Sequence, residues 1–235
     1  MFAFMKQKPG FYRQVILLSL PIVLQNLITS ALGMADTFMV GMLGEAPMAA
    51  VTLANIPLFA VQMFIFGVQS GSSVLISQYW GRQEMESINR VLGVALWVAL
   101  GVSLIFAGVL LVCPVEFLSL FGNEPEVIAL AAQYGSIAGF SYVCNAFTMM
   151  YVAAYRSMER PQLGMYILGA SMTVNTFLNW VLIFGNLGAP AMGVRGAAMA
   201  TLTARLLEVT IVILHMMKNR FFQVRLGLLV RPGLD

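Results

Sequence analysis

Asp36 is the one acid in ALGMADTFMVGMLG, residues 31–44, a stretch otherwise suited to hydrocarbon. A carboxylate in such surroundings is either an acid at the interfacial end of a helix or a group that titrates or binds a cation. Three further groups of compatible chemistry lie elsewhere. Asn175 and Asn179 are four residues apart in NTFLNWVLIFG, and Thr201 closes MGVRGAAMAT, residues 192–201. One carboxylate, two side-chain amide oxygens and a hydroxyl are hard oxygen donors, a set that suits a proton or an alkali cation. Arg205 and Glu208, three residues apart, read as a buried, mutually neutralising pair, with a gating role as the alternative.

No residue reads as catalytic. The sequence has no HExxH, no Ser/His or paired-Asp arrangement, and one histidine, His215, near the end of the last apolar segment. Cys113 and Cys144 fall in apolar segments and read as small buried residues, neither a disulfide framework nor a metal knuckle. The expectation is a non-enzyme without a cofactor and without a metal beyond a possible Na⁺.

The elements that position these groups follow from composition. Apolar residues make up 60% of the chain and charged residues 10%, and the mean hydropathy is +0.85, far outside the range of soluble domains. Apolar segments lie at about 15–40, 47–77, 91–113, 126–152, 163–186 and 193–217, each meeting the roughly 20 residues a helix needs to cross a bilayer. Runs such as VLGVALWVALGVSLIFAGVLLV do not alternate, which excludes a transmembrane barrel. The fold expected is all-α, with six transmembrane helices.

Polar residues mark the sheltered face of each span. On the first, Gln25, Thr29 and Asp36 fall within about 40° of one another. The second carries Asn55, Gln62 and Gln69 at seven-residue intervals, and the fourth carries Tyr134, Ser141, Asn145 and Thr148. Ser171, Asn175 and Asn179 line the fifth; Thr201, Arg205 and Glu208 line the sixth. The third span has little beyond Trp97 and Ser103 and is expected outermost, against lipid. Any single stripe is explained by interhelical hydrogen bonding. Five converging stripes point instead to a water-filled cavity lined by Gln25, Thr29, Asn55, Gln62, Gln69, Ser141, Asn145 and Thr148. Depth singles out one layer of it. With a rise of about 1.5 Å per residue, Asn175 and Asn179 lie roughly 18 and 24 Å up the fifth span, and Thr201 about 12 Å down the sixth. Asp36, about 31 Å along the first, shares that outer layer.

With a cytoplasmic amino terminus, eleven of the thirteen Lys and Arg residues fall on the inside, which sets the orientation. The outer loops hold Glu45, Glu116, Glu124 and Glu126, so the net charge of +3 reflects topology and calls for no nucleic-acid partner. Residues 1–14 then form a cytoplasmic amino-terminal segment, 15–217 the membrane lobe, and 218–235 a basic cytoplasmic tail.

The chain resembles the multidrug and toxic compound extrusion (MATE) transporters, in the larger group that also holds lipid and polysaccharide flippases. The resemblance rests on Pro21 fifteen residues before Asp36, DTFMVGMLGEAPMAAVTLA (36–54), YRSMERPQ between the fourth and fifth spans, NTFLNWVLIFG and MGVRGAAMAT. It implies one six-helix lobe of a twelve-helix antiporter of the cell inner membrane, exporting cationic or amphipathic compounds against Na⁺ or H⁺. The tail would begin the inter-lobe linker, and the partners would be membrane lipid, small substrates and a second lobe or second copy. The family's cation site maps onto Asp36, Asn175, Asn179 and Thr201, and its helix-1 hinge onto Pro21. Relatives commonly carry Asp where this chain has Asn179, and a Gly-Asp turn where it has SMER. Half the family's length makes a fragment or half-size product the expectation. The rivals are a flippase of the same group and an isolated lobe that does not transport.

Overall fold

A computed structural model of the chain describes residues 9–218, and the expectations for 1–8 and 219–235 lie outside them. Among the described residues every regular element is helical. The order is α1 (Pro9–Gly41), α2 (Glu45–Gly81), α3 (Met85–Val112), the short α4 (Pro114–Leu118), α5 (Pro125–Ser157), α6 (Gln162–Phe184) and α7 (Val194–Lys218). All but α4 are long and apolar enough to span a bilayer, giving six spans; the second reaches Gly81 and the third begins at Met85, beyond the apolar cores.

α5 occupies the centre. Of its most apolar stretch 56% is buried, against 11% for α1, and it packs on α2, α3 and α7. The reason is side-chain size: without a hydrophobic drive between helices in lipid, close approach depends on small residues. α5 offers Gly135, Ala138, Gly139 and Ala146, all buried. α3 meets it with Ala95, Ala99, Ser103 and Ala107, four residues apart and buried. A Cβ on Gly139 would lie 3.6 Å from Leu110 Cβ and 3.7 Å from the Ala107 carbonyl oxygen. α3 is therefore not the outermost helix. Its lack of polar residues left its lipid exposure overestimated, because α3 packs through methyl and hydrogen surfaces, and the most exposed helix is α1.

The connections are tight. VGMLG closes the α1–α2 turn, where Leu43 N–H donates to Val40 O at 3.0 Å and Gly44 adopts φ +122°, a conformation that needs glycine. α5 ends with Arg160 N–H donating to Tyr155 O at 2.9 Å, and Glu159 takes φ 61° in that turn. This left-handed position normally belongs to glycine, and a side chain there costs about 1–2 kcal/mol. Glu159→Gly is accordingly expected to stabilise the chain by about 1 kcal/mol, read as a higher melting temperature in detergent; a lower one contradicts this account.

Candidate cation-binding site

α1 packs chiefly against α6, and that contact places Asp36 opposite Asn179. The Asn179 amide uses both N–H groups: one donates to Asp36 Oδ1, the other to Asn175 Oδ1 at 3.1 Å. Both asparagines are 1% exposed, and Asp36 is half-buried. The i, i+4 spacing stacks Asn175 one turn below Asn179, so one α6 face supplies both amides. Asn179 Oδ1 is buried without a hydrogen-bond partner among the described residues. A buried carbonyl oxygen left free beside a carboxylate is a fit for a proton or an alkali cation, since either satisfies it and offsets the acid's charge.

Thr201, half-buried on α7, reaches the site through a neighbour: its side chain hydrogen-bonds with Tyr134 of α5, which lies in the electrostatic field of both Asp36 and Arg205. Tyr134 is the member that sequence reasoning left out of the site. Its signal was the seven-residue spacing Tyr134, Ser141, Thr148, which marks one face of α5. Arg205 Nη1 donates to Glu208 Oε1 at 2.7 Å, with side-chain exposures of 15% and 0%.

The expected cavity residues have other settings. Thr29 is exposed and its hydroxyl donates to the Gln25 carbonyl of its own helix at 2.9 Å. Gln25 is buried, its amide against Gly164, where an added Cβ would come within 2.5 Å of Gln25 Nε2 and of Val152 Cγ1. It wedges α1 against α6, about 16 Å along the helix from Asp36. Asn55, Gln62 and Gln69 are half-buried on α2, which packs on α5 and α3. Ser141, Asn145 and Thr148 are 0–3% exposed, enclosed rather than lining open space. Helical periodicity told which residues share a side but not how closely α5 lets its neighbours approach, so Ser141, Asn145 and Thr148 are enclosed, while Thr29, Asn55, Gln62 and Gln69 keep part of their surface open. Pro21 is buried within α1, where it leaves the Leu17 carbonyl without its usual helical donor. His215 joins α7 to α5, its Nδ1 2.9 Å from the Tyr151 hydroxyl and its ring edge-on to Tyr155. Cys113 and Cys144 are free and half-buried.

The chain as a whole is similar to known proteins. Residues 21–181 match the MatE family. The chain is 32% identical over 206 residues to the probable multidrug resistance protein NorM of Rhizobium meliloti (strain 1021), covering 87% of this chain and 44% of that protein. It is 28% identical over 217 residues to the probable multidrug resistance protein YoeA of Bacillus subtilis (strain 168), covering 92% and 47%. The chain thus spans about half the length of the curated relatives it matches. The fold superposes with a TM-score of 0.79 on a solved multidrug resistance MATE family transporter in its outward-facing conformation, at 20% identity, covering 90% of this chain and 46% of that one. The eukaryotic MATE transporter AtDTX14 gives 0.74 at 20% identity, covering 95% and 48%. One six-helix lobe, matched over most of its length, shows that the chain belongs to the MATE family.

Proposed function

We propose that the chain is one lobe of a secondary antiporter that exports cationic or amphipathic compounds in exchange for Na⁺ or H⁺, bound at Asp36, Asn179, Asn175 and Thr201. The observation that carries this reading is the Asp36–Asn179–Asn175 hydrogen-bonded group, a carboxylate bonded to one buried amide that a second buried amide holds in turn, inside an apolar bundle. Such a group costs stability unless a cation compensates it. Cation binding stabilises α1 against α6; without the cation the same contact weakens, and α1 is free to follow the substrate. Pro21, which interrupts the α1 hydrogen-bond ladder below Asp36, is the hinge. Ion and substrate then drive transport by favouring different arrangements of one helix.

A second six-helix lobe or a second copy completes the substrate cleft, a parallel arrangement of halves common among transporters. The amino terminus faces the cytoplasm across the cell inner membrane, in keeping with the basic residues on that side. The test is export from proteoliposomes carrying the completed transporter, with Na⁺ and H⁺ gradients imposed separately. Export driven by one of the gradients is expected; export indifferent to both rejects ion-coupled antiport.

A further inference from the structure

Three formal charges share the interior of the lobe: Asp36 on α1, and Arg205 and Glu208 on α7. The Arg205–Glu208 contact uses one carboxylate oxygen, and Glu208 Oε2 is buried without a hydrogen-bond partner among the described residues. Arg205 also acts electrostatically on Asp36, Tyr134 and Cys144, so the guanidinium that is paired with Glu208 is felt at Asp36 as well. Arg205 is one helical turn below Thr201, whose side chain hydrogen-bonds with Tyr134, itself in the field of Asp36. Two acids and one base leave this set at −1, with the phenol of Tyr134 and the thiol of Cys144 as its uncharged titratable neighbours.

We propose that Arg205 is the internal counter-charge of the Asp36 site and that Glu208, a positioning residue that does not touch the cation, sets cation affinity by holding the guanidinium away from Asp36. The proposal rests on the cation-site reading above. With Glu208 ionised, one monovalent cation brings the interior to neutrality, whereas a divalent ion leaves it at +1, so the arrangement selects for single charge. With Glu208 neutral, Asp36 becomes the one carboxylate in reach of Arg205, and the interior balances without a cation.

The experiment measures the midpoint of the cation-dependent rise in melting temperature of the purified chain. Na⁺ is titrated against choline at fixed pH, and protons at fixed ionic strength, each referenced to Asp36→Asn. Glu208→Gln is expected to weaken the response about tenfold or more, and Arg205→Gln, with an interior charge of −2, to strengthen it by a similar factor. The double variant Arg205→Gln/Glu208→Gln restores −1 and is expected within about threefold of wild type. A wild-type midpoint in Glu208→Gln, or a double variant no better than that single one, overturns the proposal. Should Glu208→Gln not fold, the other two variants decide: an unchanged midpoint in Arg205→Gln, or a lost response in the double variant, overturns it equally. No cation response in the wild-type chain overturns the site reading itself.

Discussion

Asp36→Asn is expected to abolish ion-driven export by the completed transporter while leaving membrane insertion and the helical fold intact. The substitution keeps the side-chain shape and a partner for the Asn179 amide, so the α1–α6 contact survives. What it removes is charge. A unit charge about 4 Å from a monovalent cation contributes about 4 kcal/mol at the effective dielectric of a protein interior. That corresponds to roughly a thousandfold in cation affinity. Export under the driving gradient, with circular dichroism and size-exclusion profiles as controls, checks this. Unchanged transport in a well-folded variant contradicts the role given to Asp36.

Gly196→Val is expected to have the largest effect on assembly. Gly196, in the GAA run of α7, meets the end of α6 so closely that an added Cβ would lie 2.5 Å from the Leu182 carbonyl oxygen and 3.0 Å from Ile183 N. The obstructing atoms are backbone, held by Met192 N–H donating to Leu182 O at 2.8 Å, and cannot step aside as a side chain could. Valine forces α6 and α7 apart and separates Asn179 from Thr201, at a cost of about 3 kcal/mol. The expected result is a lower melting temperature, broadened size-exclusion behaviour and loss of cation response. A variant that melts with the wild type contradicts the packing described for GAA.

These two residues mark how much was legible in the sequence. Asp36, Asn175 and Asn179 announced themselves because acids and amides in hydrocarbon are rare and costly, and helical rise alone put them at one depth. Arg205 and Glu208 were legible for the same reason. Thr29 and Gln25 shared their angular sector with Asp36, yet the structure exposes one and wedges the other beside Gly164. The angle on a helix identifies a side, while the neighbour on that side depends on tertiary packing. The place of α3 was hidden because Ala95, Ala99, Ser103 and Ala107 act by letting α5 come near, a property that polarity does not record. Tyr134 was legible as a member of the polar stripe of its helix, but its link to the site depends on the hydrogen bond with Thr201 of α7, a tertiary contact that helical periodicity does not give.

The central claim is that the Asp36 group holds one monovalent cation, and equilibrium binding tests it most directly. Radiosodium uptake and proton uptake are measured on the same sample of the purified chain across a range of pH, beside Asp36→Asn. The account predicts saturable uptake of one positive charge per chain, as Na⁺ or as H⁺, absent from Asp36→Asn. No saturable uptake of either ion, or equal uptake by Asp36→Asn, would contradict it.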